Sequence, residues 1–263
     1  MLFLLEDKRI FLIDILGILY KLYFIHKNFF LFYFKKFLLN FFIKYNPNIL
    51  IVIFDTKLRY NYKKKIFIHY KSNRKKNIFL KKYIYDIYNI LNQYKIFYIY
   101  KKGYEADDII ALYVKYFQKK NYIIYIISND KDFYQLLNNN IYICNYNGKI
   151  IDKYYILYIY NIKSIKFLID IYILIGDYSD NIYGFNNIGL RKSIFFINKY
   201  KNIKNILKQK YINNYLIRNI LKNKKLILIN KKLLLFNKNI NIKINIYLYY
   251  INIYFYIIKN KKK

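Results

Sequence analysis

Short apolar runs alternate with longer stretches of helical spacing along most of the chain. Ile10-Phe-Leu-Ile ends at Asp14, Ile49 to Phe54 ends at Asp55, and Tyr122 to Ile127 leads into Ser128-Asn129-Asp130. Short apolar runs bounded by polar residues fit strands buried on both faces. Ile141 to Cys144 leads through Asn147-Gly148 to Lys149-Ile-Ile, a pattern that predicts a hairpin with a type I′ turn. Phe79, Leu80, Tyr83, Ile84, Ile87, Ile90 and Leu91 recur at helical spacing, as do Ile109, Ile110, Leu112, Tyr113, Val114 and Phe117. This alternation predicts an α/β domain with a mainly parallel sheet over residues 1–163. From about Ser164 the pattern turns helical, with loops between Gly176 and Gly189, and predicts a helical subdomain over residues 164–263. Within it, Leu226 to Ile258 fits strand and helix equally.

Composition changes how the charge is read. The chain has 48 Lys+Arg against 14 Asp+Glu, a formal charge of +34. Ile, Lys, Tyr, Asn and Phe make up 189 of its 263 residues, and all five can be written with codons of A and T alone. The bias points to an AT-rich genome, such as that of a reduced bacterium or an organelle, and many lysines then reflect base composition. An apolar fraction of 56% excludes a disordered chain. One cysteine, Cys144, excludes a disulfide framework or a multi-Cys zinc site, and two histidines, His26 and His69, leave little for His-based chemistry. Met1 to Asp7 lacks the basic region of a signal peptide, and the uncharged run Ile244 to Ile258 is short for a bilayer span. A cytoplasmic protein that does not use a membrane is expected.

The scarce acids carry the chemistry. They are Glu6, Asp7, Asp14, Asp55, Asp86, Glu105, Asp107, Asp108, Asp130, Asp132, Asp152, Asp170, Asp177 and Asp180. Seven fall in three tight groups: Glu105-Ala-Asp107-Asp108, Asp130-Lys-Asp132 and Asp177-Tyr-Ser-Asp180. Asp14 and Asp55 end predicted strands. A lone Asp there is usually a turn residue or a helix cap. In open α/β sheets, however, the carboxyl ends of the strands form the ligand crevice, and Asp14, Asp55 and Asp130 would all emerge there. Asp107 and Asp108 would sit in a first helical turn near the same edge. Clustered carboxylates repel one another unless cations neutralise them. With so little His and Cys, the fitting ion is a hard one, Mg²⁺ or Mn²⁺. Nine carboxylates on a +34 chain read as a metal site for an anionic substrate, and two-metal phosphodiester hydrolysis uses such a site.

These segments resemble the 5′-nuclease family: bacterial 5′–3′ exonucleases, the N-terminal domain of bacterial DNA polymerase I, and flap endonucleases. The matching residues are Phe11-Leu-Ile-Asp14, Ile53-Phe-Asp55, Tyr70-Lys-Ser-Asn-Arg74, Gly103-Tyr-Glu-Ala-Asp-Asp108, Ser128-Asn-Asp-Lys-Asp132 and Ile175-Gly-Asp-Tyr-Ser-Asp-Asn-Ile182, followed by Gly184 and Ile188-Gly189. They stand in the family's order, from about residue 10 to 235. The resemblance implies a PIN-like sheet with flanking helices and a helical C-terminal part. It implies one metal ion on Asp14, Asp55, Glu105, Asp107 and Asp108, and a second on Asp130, Asp132, Asp177 and Asp180. Residues 57–82 would form a helical arch that admits a 5′ single strand, with Lys71 and Arg74 on the scissile phosphate. Residues 180–193 would be a helix–three-turn–helix that grips duplex DNA with Gly184, Ile188, Gly189, Arg191 and Lys192 and a potassium ion. In that loop Tyr183 and Asn186 stand where the family has proline, and Asn187 where it has glycine. Asn accepts left-handed backbone better than most residues. Ile15 follows the first Asp where the family has glycine.

The implied substrate is DNA with a 5′ end or flap, or an RNA primer–DNA hybrid, in replication and repair, cut to leave 5′-phosphates. No polymerase domain follows, so a stand-alone monomer working beside a separate DNA polymerase is expected. Residues 56–85 hold eleven Lys or Arg and no acid, twice the chain's average density, which fits an arch that neutralises phosphates. Tyr20, Tyr23 and above all Tyr70 are candidates to stack on unpaired bases. A PIN-type ribonuclease is the enzymatic alternative, but the group Asp177 and Asp180 before a duplex-gripping loop argues against it. A catalytically silent single-strand-binding protein would need the basic arch but not the nine clustered acids.

Overall fold

A computed structural model describes residues 8–56, 61–74, 78–209, 214–237 and 239–244, without the side chains of 78–81. In chain order its elements are β1 (Arg9–Asp14), α1 (Ile15–His26), α2 (Phe30–Tyr45), β2 (Ile49–Ile53), α3 (Lys63–Ile66), α4 (Ile78–Gln93), β3 (Phe97–Ile99), α5 (Ala106–Gln118), β4 (Ile123–Ile127), β5 (Ile141–Cys144) and β6 (Ile150–Ile151). The second half continues with α6 (Lys153–Ile159), α7 (Phe167–Ile175), β7 (Gly176–Asp177), β8 (Ile182–Tyr183), α8 (Leu190–Tyr200), α9 (Ile203–Leu207), α10 (Tyr215–Lys222) and α11 (Lys224–Leu234). The main sheet has the order β3-β2-β1-β4-β5-β6, parallel except for β6. The α/β class read from the alternation is the class observed. The ambiguous stretch from Leu226 begins as helix, in α11, and residues 245–263 lie outside the described residues.

The strands read as unbroken apolar runs because both faces are covered. Ile10 and Leu12 of β1 and Ile49, Ile51 and Ile53 of β2 enter one core, with α5, α7, α8, α10 and α11. Phe11, Ile13, Leu50 and Val52 enter the other, with α1, α2 and α4. The first core takes in residues from Ile10 to Ile240, so packing continues through the expected boundary at residue 163.

One sequence expectation needs correction. The β5–β6 turn is not type I′, which requires positive φ at both central residues. Gly148 has φ +82, while Asn147 is not among the residues of positive φ. The Asn145 side chain accepts from the backbone N–H groups of Asn147 and Lys149 at 3.0 and 2.9 Å, and so shapes a longer turn. The stretch Ile15–Tyr45 is long and apolar enough, by length and composition alone, to cross a membrane. Here the chain bends at Lys27, φ +40, into α1 and α2. Ile15, Ile18 and Leu19 of α1 and Phe30, Phe34 and Leu38 of α2 are buried in the second core.

Candidate active site

The strand order reverses between β1 and β4, and there the carboxylates gather. Asp14 ends β1, and Asp55 lies two residues beyond β2. Glu105 precedes α5, whose first turn holds Asp107 and Asp108, and Asp130 and Asp132 follow β4. Ser128 Oγ donates to Asp14 Oδ2 at 2.9 Å and accepts from the Asp130 N–H at 3.1 Å, tying the two sides of the switch point together. Asp55 Oδ1 accepts from the Ala106 N–H at 2.7 Å, at the positive end of α5. Asp130 Oδ1 caps the next turn through the Asp132 N–H, 2.8 Å. β7 and β8 project Asp177 and Asp180 toward this edge from the C-terminal half. Carboxylate oxygens of Asp132, Asp177 and Asp180 all lie within 4.8 Å of one another.

The electrostatics match a site that needs cations. Burial and the neighbouring Asp55 push the Asp14 carboxyl up to about 7. Burial and Asp130 push Asp132 up to about 7. Asp107 is raised well above the usual carboxylate range, by burial first and then by Asp130. Asp55 and Asp180 are also raised, mainly by burial. Glu105 differs. Burial pushes it up, but the Lys71 and Lys63 ammonium groups outweigh burial and hold it at about 2. An all-oxygen donor set whose members destabilise one another fits hard divalent cations.

Asp108 is turned elsewhere. Its Oδ1 accepts from Tyr62 Oη at 3.2 Å and from the Asn237 N–H at 2.7 Å, which joins the site to the chain beyond α11. Its Oδ2 is buried without a hydrogen-bond partner among the described residues.

The basic segment lies directly on the acids. Lys71 Nζ is 2.5 Å from Glu105 Oε1 and 3.5 Å from Asp180 Oδ2, and Arg74 pairs with Asp180 Oδ1. The Lys71 N–H donates to the Asp180 carbonyl at 2.9 Å. Asn181 Nδ2 donates to the His69 carbonyl at 2.8 Å and Ser72 Oγ at 3.1 Å, and Asn73 Nδ2 donates to the Tyr178 carbonyl at 3.1 Å. Residues 69–74 and 178–181 are thus stitched together. Of the expected arch, residues 57–60 and 75–77, with Lys57, Arg59, Lys75 and Lys76, lie outside the described residues.

Tyr70 corrects an expectation. Its ring is 1% exposed, and its hydroxyl donates to Glu105 Oε2 at 2.9 Å and Asp180 Oδ2 at 3.2 Å. It presents no face to a base and belongs to the support of the carboxylates. Ile188 is corrected likewise: its side chain is in the core and its N–H donates to the Phe185 carbonyl at 3.1 Å, so neither meets DNA. Gly184 packs backbone to backbone, where an added Cβ would lie 2.1 Å from the Ile175 carbonyl oxygen. Asn187 takes φ +64. Gly189, Arg191 and Lys192 are exposed at the start of α8, and a Cβ on Gly189 would meet nothing within 4 Å.

Sequence reasoning passed over Lys63, which is buried and reaches Glu105 Oε2 at 3.2 Å. It also gave Ser128 and Asn181 no role.

An open, mainly parallel sheet with this carboxylate edge defines an α/β protein whose acidic cluster fits divalent cations. Residues 9–161 match the family model for the 5′-3′ exonuclease N-terminal resolvase-like domain, and the chain belongs to that family. The 5′-3′ exonuclease of Buchnera aphidicola subsp. Acyrthosiphon pisum is 38% identical over 194 residues, 72% of this chain and 66% of that one. DNA polymerase I of Borreliella burgdorferi is 32% identical over 235 residues, 83% of this chain and 25% of that one. The chain spans less than two thirds of the bacterial 5′-3′ exonucleases it matches. Among solved structures, a mutant of the T5 5′-exonuclease superposes with a TM-score of 0.72 at 17% identity, over 88% of this chain and 89% of that one. A bacteriophage T5 flap endonuclease complex with DNA and metal ions gives 0.70 at 19%, over 87% and 89%. At these identities the likeness is one of fold.

Proposed function

We propose that this chain is a divalent-metal-dependent 5′–3′ exonuclease and 5′-flap endonuclease that hydrolyses DNA in replication and repair. The observation that carries the reading is the facing of two groups: carboxylates at the sheet's switch point, and Asp132, Asp177 and Asp180 beside them. Asp14, Asp55, Glu105 and Asp107 would hold one Mg²⁺ or Mn²⁺, with Asp108 supporting them from behind. Asp130, Asp132, Asp177 and Asp180 would hold another. Bound there, such ions lower the pKa of water and neutralise charge developing on a phosphodiester. Lys71 and Arg74 then exchange their carboxylate partners for the scissile phosphate and stabilise its transition state. Residues 57–82 act as the arch over a 5′ single strand. The start of α8, with Gly189, Arg191 and Lys192, holds duplex phosphates through N–H groups and positive charge, and the preceding loop is the place for a potassium ion.

RNA primers paired to DNA fit the same site, because the grip is on backbone. The match to a segment of a DNA polymerase I supports work beside a polymerase, and the chain would act as a monomer. The bacterial relatives support a cytoplasmic place. Digestion of a 5′-labelled flap duplex with Mg²⁺, and with EDTA, tests the reading. Cleavage that stops with EDTA is expected; no cleavage of any 5′-ended substrate overturns it.

A further inference from the structure

We propose that Lys63 is a positioning residue for Glu105: it holds one carboxylate oxygen in place, so that only the other oxygen exchanges the Lys71 ammonium for a divalent cation. This rests on the reading of the acids as a metal site.

The two lysines approach Glu105 from different sides and on different anchors. Lys63 Nζ meets Oε2 at 3.2 Å, and Tyr70 Oη donates to the same oxygen at 2.9 Å. Lys71 Nζ meets Oε1 at 2.5 Å. The two ammonium groups lie 5.5 and 5.2 Å from the centroid of the Tyr70 ring. Lys63 is only 3% exposed. A lysine that buried needs a fixed counter-charge.

Its backbone is fixed to the segment it serves. The Lys63 N–H donates to Asn61 Oδ1 at 2.9 Å, the Tyr62 N–H donates to the Gly103 carbonyl at 3.1 Å, and Tyr62 Oη donates to Asp108. Lys63 also faces Asp108, whose Oδ2 has no hydrogen bond among the described residues. Lys71 is placed for release. It sits at φ +52, a left-handed backbone that a lysine holds only at a cost, and its second carboxylate, Asp180, belongs to the other acidic group. Removing Lys63 leaves Tyr70 Oη as the anchor of Oε2 among the described residues, and the carboxylate is then free to turn toward Lys71. Removing Lys71 takes away a tethered cation that competes for Oε1.

The two substitutions therefore act on metal affinity in opposite directions. The test is titration of the full chain with Mn²⁺, without DNA, read by the electron paramagnetic resonance of free Mn²⁺. Lys63→Met should weaken Mn²⁺ binding by about 10–100-fold, the usual cost of losing a group that orients a metal ligand. Lys63→Arg should restore it, and Lys71→Ala should tighten it. Circular dichroism and melting confirm that each variant is folded. If folded Lys63→Met binds Mn²⁺ as the parent does, or if Lys71→Ala weakens binding, the proposal is overturned. If Lys63→Met does not fold, Lys63→Arg with parental affinity together with a tighter Lys71→Ala upholds it, and a weakened, folded Lys63→Arg overturns it. A parent chain that binds no Mn²⁺ overturns the functional reading itself, which the other outcomes leave standing.

Discussion

Lys71 Nζ lies 2.5 Å from Glu105 Oε1 and 3.5 Å from Asp180 Oδ2, so a single lysine spans the two acidic groups. Only a residue that interacts more strongly with the transition state than with bound substrate raises the chemical rate. Lys71→Ala should therefore slow saturated single-turnover cleavage of a 5′ flap by roughly 10²–10³-fold, the scale of one lost electrostatic donor. Its equilibrium binding should weaken by less than about tenfold, the loss expected for one phosphate contact. Arg74→Ala should behave like Lys71→Ala. Lys65, exposed in the same basic stretch, should do the reverse: Lys65→Ala loses some affinity, regained at low salt, at a normal saturated rate. Equal behaviour of the three variants would reduce the arch to an electrostatic funnel.

Asp107→Asn should abolish cleavage while DNA binding measured in EDTA holds or tightens. Asp107 faces Asp130, Glu105 and Asp14, so an amide there removes a ligand and at the same time lessens repulsion of phosphate. Asp177→Asn should slow cleavage but leave residual activity, because Asp177 is less enclosed than Asp180. Fluorescence anisotropy with single-turnover rates separates the effects. Parallel loss of binding and rate would make these acids structural.

The acids were legible because they are rare. In a chain with 48 basic and 14 acidic residues, each carboxylate at a strand end stands out, and parallel topology carries them to one edge. The same composition hid the rest. Lys63 is one of three lysines in a row and differs from its neighbours only by pointing inward. Asn181 is one of many asparagines, though its side chain ties residues 69–72 to the acidic loop. β3 has three residues, too few for periodicity to register. Tyr70 and Ile188 lie near the site in sequence order but are buried, because order gives proximity to a site and not the direction of a side chain.

Stability should depend on pH and metal together. Asp14 and Asp132 have folded-state values near 7 against an ordinary 3.8. Between those values the folded chain binds more protons than the unfolded one, so without metal its stability falls as pH rises through this window. Glu105 acts in the opposite sense, but its contribution is lost only as pH drops from its ordinary 4.5 toward 2. Melting in EDTA should therefore give a lower Tm at pH 8 than at pH 5, and Mg²⁺ should raise Tm more at pH 8. An equal Mg²⁺ effect at both values would mean that these carboxyls do not hold the ion.

Two glycines of the loop before α8 should separate folding from binding. Gly184 lies against the Ile175–Gly176 backbone, and a Cβ there would come within 2.1 Å of the Ile175 carbonyl oxygen and 2.3 Å of its carbon. Backbone cannot give way as a flexible side chain can, so Gly184→Ala should cost about 1–3 kcal/mol or more of stability, the scale of overpacking. Gly189 has φ −88 and open space around it. An alanine fits that conformation, and at a helix N-cap the exchange should cost within about 1 kcal/mol. The open space is where a duplex phosphate would approach the first N–H groups of α8, and a methyl group obstructs that approach. Gly189→Ala should therefore lose at most a few degrees of Tm, about 2–4 °C, and weaken binding to duplex DNA more than to a short single strand. Urea melts and anisotropy on both substrates decide it. Equal weakening on the two substrates would remove the start of α8 from the duplex grip.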